Sequence, residues 1–219
     1  MASRPQHSQP QPEPEVAAKL REMGLVSDDL RDAVKDANAE ALECTANDVG
    51  NRAGYVRWSS PMRRLGDQYA PKGFKRERPN NFELLVSPDR AFGLTTAPGD
   101  HNTGTEKMPS TRIDRGPITG QAVIGNRHQL RLDTMSAEFG ETTMQIWLLL
   151  AYYDEAAEEV RLELSLPVEF FCKPNSKRGV VTAFESPRLI LPSISLAPGA
   201  NIDDEEEDDG QIDVPVARR

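Results

Sequence analysis

The sequence predicts an α+β fold, N-terminal helices followed by a mostly antiparallel β-sheet with disordered termini, and three observations carry that expectation. Apolar residues recur at helical spacing before residue 70, and short apolar runs separated by turn residues take over after residue 81. Further on, Val160, Leu162, Leu164 and Leu166 alternate with Arg161, Glu163 and Ser165. A period near 3.6 marks an amphipathic helix, and a period of two marks a strand with one face in the core. Helices segregated from strands point to α+β.

The chain has 219 residues, enough for one domain once its ends are set aside. Residues 1–14 form a Pro/Gln-rich arm in which Pro5, Pro10, Pro12 and Pro14 remove backbone donors, so disorder is expected there. Residues 15–198 are the predicted single α+β domain. Residues 199–219 form an acidic tail containing Asp203, Asp204, Glu205, Glu206, Glu207, Asp208, Asp209 and Asp213. Mutual repulsion and scant apolar area predict disorder here too. These carboxylates account for most of the formal net charge of −9. The remaining body is near neutral and can carry a local basic patch.

Within the domain, Val16, Leu20 and Met23 give a short apolar stripe that Gly24 ends. Ser27 is the predicted cap of a second helix, with Asp28 and Asp29 in its first turn and Leu30, Val34, Ala37 and Ala41 on one face. Ser60 and Pro61 repeat a start signal, after which Met62, Leu65 and Tyr69 share a face until Pro71. Residues 82–86 and 91–96 read as a hairpin turning on Ser87, Pro88, Asp89 and Arg90. Residues 97–116 have no period and read as a long loop. Residues 144–153 are apolar in both phases, as in a central strand, with a turn over 154–159; a helix over 144–158 competes with that reading. Residues 188–191 add a last strand, closed by Pro192.

Several function classes find no support. The start lacks the apolar core of a secretory signal, and the longest apolar stretch, 146–153, falls far short of the roughly 20 residues that span a bilayer. A cytoplasmic chain without a membrane partner is therefore expected. Cys44 and Cys172 lack the spacing of a zinc site and read as buried thiols. Gly99 and Gly104 stand at phosphate-loop spacing, but Thr105 and Glu106 occupy the places of the lysine and hydroxyl that such a loop needs. No catalytic residue, metal ligand or cofactor is read from the chain.

Two segments can carry chemistry. Arg57, Arg63, Arg64, Lys72, Lys75, Arg76 and Arg78 face only Asp67 and Glu77 in their own segment, with Tyr55, Trp58, Tyr69 and Phe74 interleaved. Cations neutralise phosphates and aromatic faces stack on bases, so residues 55–78 are a candidate nucleic-acid surface, with the acidic tail folding back as its modulator. The bland alternative is a solvated face, with Trp58 and Tyr69 in the core. In the loop 99–105, Asp100, His101 and Asn102 bring a histidine beside a carboxylate, the pairing of an acid/base site. A turn whose Asp and Asn bond the backbone is the alternative there.

The segments SPDRAFGLTTAPGDHNTG (87–104), VRLELSLP (160–167) and RLILP (188–192) resemble parts of a loosely related set of uncharacterised bacterial proteins. The resemblance spans about residues 54–194 and implies no activity, ligand or catalytic residue. The leading expectation is a non-catalytic cytoplasmic protein-interaction or regulatory protein, with another protein as partner. Nucleic-acid binding through residues 55–78 is the alternative, and an enzyme with a site at loop 99–105 the third.

Overall fold

The computed structural model describes residues 12–135, 144–172 and 174–196. Most of the expected arm and all of the expected acidic tail lie outside these residues. In chain order the elements are α1 (Pro14–Glu22), α2 (Ser27–Leu42), α3 (Arg52–Tyr69), β1 (Lys75–Glu77), β2 (Leu84–Val86), β3 (Phe92–Pro98), α4 (Pro117–Met135), β4 (Gln145–Asp154), β5 (Glu159–Ser165), β6 (Pro167–Cys172), β7 (Gly179–Phe184) and β8 (Leu189–Ser195). The α+β class holds, with helices α1 to α3 preceding every strand.

Six strands form one sheet in the order β1-β2-β3-β4-β5-β8, and β6 and β7 form a separate hairpin. All pairs are antiparallel except β3 with β4, which run parallel from Phe92 opposite Gln145 to Pro98 opposite Ala151. A parallel pair needs a crossover, and α4 supplies it. The sheet is therefore mixed, although mostly antiparallel as expected.

Strand β4 explains the double-phase apolarity of its sequence. Trp147 and Leu149 join the core under α1 to α3, with Leu30, Met62, Leu65, Leu94, Leu162 and Leu191. Leu148 and Leu150 point to the other face and meet Val123 of α4, Val181 and Phe184. A strand covered on both faces reads as a continuous apolar run, and the competing helix over residues 144–158 is not formed.

Helix α4 had no signature in the hydropathy pattern, and its buried face shows why. Thr119, Val123, Asn126 and Gln129 are all buried at helical spacing, so the inward stripe is mainly polar. Asn126 is 1% exposed and its amide is fully used. Its Oδ1 accepts the Ile146 N–H (2.9 Å), and its Nδ2 donates to the carbonyls of Ile146 and Pro167 (3.0 Å each). Strand β5 ends its pairing at Leu148 opposite Ser165. The side chain of Asn126 thus takes up β4 backbone groups where β5 turns away into β6.

Four local expectations are corrected. Helix α3 begins at Arg52, so Ser60 is not a cap and Pro61 lies inside the helix. Pro61 brings no N–H, and one turn before it the Trp58 carbonyl accepts the Thr96 hydroxyl (2.8 Å), while Ser60 donates to Glu40 (2.8 Å). Helix α2 takes Val26 as its cap residue, the Val26 N–H donating to the Tyr69 hydroxyl (2.9 Å), and the Ser27 hydroxyl is buried with no hydrogen bond. The supposed wet face of β5 is covered, with Glu163 and Ser165 at 0% exposure, because the loop after β3 lies over it. The thiols are free, as expected, but not buried: Cys44 is half-buried and Cys172, at the end of β6, is exposed.

The last strand also runs farther than expected, through Pro192 to Ser195. Proline is tolerated there because β8 is an edge strand with an irregular register, and the Pro192 carbonyl accepts Arg31 Nε (3.2 Å). Among the described residues, no helix is long and apolar enough to cross a membrane.

Candidate functional site

The cations of residues 57–78 lie along α3 and the turn that follows it, and most of them are matched by acids from elsewhere. Arg63 pairs with Glu40 (3.2 Å), Arg64 with Asp36 (2.7 Å) and Lys72 with Asp29 (3.4 Å), all three acids lying on α2. Arg76 and Arg78 share Glu83 at 2.9 and 2.7 Å. Arg57 donates to Asn38 (3.0 Å) and lies over the Tyr153 ring, 4.6 Å from its centroid. Lys75 alone of the seven has no such partner among the described contacts. Tyr69 and Phe74 are core residues, whereas Tyr55 is exposed. Counting acids only within the segment overlooked those that the α2–α3 pairing brings alongside.

The loop after β3 places Asp100 and Asn102 in one turn and leaves His101 outside it. The Asp100 carboxylate accepts the Asn102 N–H (3.0 Å) through one oxygen and the Ser110 hydroxyl (2.9 Å) through the other. Asn102 donates to the Met108 carbonyl (3.3 Å). His101 is exposed, with no hydrogen bond among the described contacts.

What secures this loop is a pair of residues that the sequence reading did not single out. Glu163 Oε2 accepts the Gly104 N–H (2.9 Å) and Arg188 Nη1 (2.8 Å), and Oε1 accepts the Ser165 hydroxyl (2.8 Å). Arg188 also donates to the Thr105 carbonyl. Burial raises the Glu163 carboxyl above the usual range, while the Gly104 N–H and Arg188 act to lower it. A carboxylate within an apolar strand was the available signal. The cluster is closed, since Glu163 is 0% exposed, and it works as a clamp between loop and sheet.

An open, chemically distinctive surface lies on the other side of α4. Helix α4 approaches β6 closely, and a Cβ on Gly120 would sit 2.9 Å from the Phe170 ring. Beside this contact runs a groove of about 410 Å³ lined by Val123, Ile124, Arg127, Phe170, Cys172 and Lys177 among others. Among the described residues, its walls include no carboxylate. Arg127 and Lys177 are exposed and have no ion-pair partner among the described residues. Ile124 and the adjacent Phe171 are more than half exposed, at 55% and 59%. Strand β6 pairs with β7 alone among the described residues, so its other edge has no strand partner there.

A second cavity, of about 590 Å³, lies by the end of α1 and is lined by Met23, Phe74, Phe92 and Trp147 with Lys19, Glu22 and Lys72 at its rim. Its charges are balanced, because Lys19 pairs with Glu22 (3.0 Å) and Lys72 with Asp29. Among the described residues, no group of three or more His, Cys, Asp or Glu side chains could hold a metal ion. No protein-family model, curated protein or solved structure matches the chain.

Proposed function

We propose that this is a non-catalytic, cytoplasmic interaction protein whose groove between α4 and β6 takes an extended acidic segment, with interspersed apolar side chains, from a partner protein. The observation that carries the reading is the lining itself: apolar side chains with Arg127 and Lys177 and, among the described residues, no carboxylate. An extended segment can add to an open strand edge while alternate side chains enter an adjoining groove. Two free thiols, one exposed, favour a reducing compartment.

The test uses the full chain with the acids among residues 203–213 changed to their amides, so that they do not compete with the probe. The probe is a fluorescent peptide of alternating Glu and Val, titrated by anisotropy at low and moderate salt, with a Lys/Val peptide and single-stranded DNA as comparisons. Salt-sensitive binding of the Glu/Val peptide should weaken about tenfold or more in Arg127→Glu/Lys177→Glu and stay unchanged in Arg63→Glu/Arg64→Glu. Preference for the Lys/Val peptide would overturn the reading. DNA binding that is lost on reversing Arg63 and Arg64 would instead favour the surface of residues 55–78.

A further inference from the structure

We infer that the acidic C-terminal segment of this chain, residues 203–216, is an internal ligand of the groove between α4 and β6 and shuts it against outside partners. The inference rests on the proposed docking function and adds its regulation. Three observations support it.

The first is charge. The segment presents Asp203 to Asp209 as consecutive carboxylates, followed by Asp213. The cations of α3 and its following turn are largely occupied by Asp29, Asp36, Glu40 and Glu83, whereas Arg127 and Lys177 have no such partner among the described residues. The fold thus moves the free counter-charge from the expected basic segment to the groove.

The second is pattern. After the acids come Ile212, Val214 and Val216, alternating with Asp213 and Pro215. Period two with β-branched residues suits an added strand that turns one face into an apolar groove. A proline is acceptable in such a strand when its missing N–H would face solvent.

The third is reach. Strand β8 ends at Ser195 opposite Glu159, and Glu159 stands opposite Asp154 at the carboxyl end of β4. The groove begins at this same end: Arg112 bonds the Pro98 carbonyl, Arg115 bridges to Gly179 of β7, and Pro117 opens α4. From Leu196 to Asp203 the chain can extend roughly 23–25 Å. Crossing two strand spacings and one layer takes roughly 10 Å in each direction, which brings Asp203 to the Lys177 end of the groove. The acids from Asp204 to Asp209 can then run on along α4 towards Arg127, whose neighbour Asn126 meets Ile146 near the other end of β4. Tethering of this kind gives an effective concentration in the millimolar range, enough to suppress a weak outside ligand.

Cys172 lines the groove and its exposed thiol reports on occupancy. The experiment measures N-ethylmaleimide labelling of Cys172, read by peptide mass, in the full chain and in the full-length variant whose tail acids are amides. In the natural chain at low salt, labelling should be about tenfold slower than in the amide variant, and moderate salt should erase the difference. Arg127→Glu/Lys177→Glu in the natural chain should abolish protection as well. The Glu/Val peptide should bind the natural chain about tenfold more weakly than the amide variant. Equal labelling and equal peptide affinity in natural and amide chains would overturn the inference while leaving the docking function standing. Failure of the amide variant to bind the peptide would instead remove the docking function. Protection that grows with protein concentration would assign the contact to a second copy and overturn closure within one chain.

Discussion

Replacing Asn126 with alanine should loosen α4 from the sheet at its most buried polar contact. The amide is 1% exposed and serves three backbone groups, the N–H and carbonyl of Ile146 and the carbonyl of Pro167, at 2.9–3.0 Å. Alanine leaves all three without their partner in a site closed to bulk water. Each buried group left unsatisfied costs about 1–3 kcal/mol, and partial entry of water into the vacated space offsets part of it, so a loss of about 3 kcal/mol is expected. For a chain of this size that corresponds to a fall of about 6–12 °C in Tm. Urea unfolding of the full chain, followed by tryptophan fluorescence and by circular dichroism, measures the loss directly. Asn126→Asp keeps the acceptor for Ile146 N–H but sets an oxygen against two carbonyls, so at neutral pH it should cost at least as much. A change below about 0.5 kcal/mol in Asn126→Ala would refute the role assigned to this side chain.

Three further outcomes follow from the loop and from α3. Burial raises the Glu163 carboxyl, so the folded chain keeps this proton at pH values where the unfolded chain has lost it. Stability should therefore fall, relative to Glu163→Gln, as pH rises from about 4.3 through the raised folded value; a relative gain instead would show that Arg188 and the Gly104 N–H outweigh burial. A Cβ on Gly99 would stand 2.0 Å from the fully buried Thr103 hydroxyl, so Gly99→Ala should cost about 1–3 kcal/mol in thermal or urea unfolding. Adding Thr103→Ala should recover part of that loss, and strict additivity of the two would refute the clash. The Arg63–Glu40 and Arg64–Asp36 pairs are partly exposed, so Arg63→Glu/Arg64→Glu should destabilise by no more than about 2 kcal/mol; if these cations also hold phosphates, the salt dependence of DNA binding should flatten by about two contacts.

Much of the architecture was legible because it is written in apolar periodicity. The stripes of α1 and α2, the hairpin of β2 and β3, and the pairing of β4 with β5 all follow from alternation or helical spacing of aliphatic residues. Helix α4 escaped because Thr119, Asn126 and Gln129 fill its buried face. The start of α3 escaped because Ser60 and Pro61 imitate a helix beginning, whereas the helix has already started at Arg52. The candidate groove was hidden for another reason. Its walls come from α4 and from β6 and the turn after it, which are separated by two strands of the main sheet, and no single stretch of sequence contains both Arg127 and Lys177.

The parallel seam between β3 and β4 also bears on how the chain comes to be folded. Every other strand pair except β5 with β8 joins neighbours in sequence, but Phe92 must find Gln145 across the whole of the connecting loop and α4. The entropy of closing that connection is lost before the ladder contributes any bond, whereas α2 with α3, β4 with β5, and β6 with β7 assemble from nearby residues. Two preformed halves, residues 14–98 and 145–195, would then meet along this seam late in folding. Mutations within it, at Leu94 or Leu148, should speed unfolding more, and slow refolding less, than equally destabilising ones in the β6–β7 hairpin.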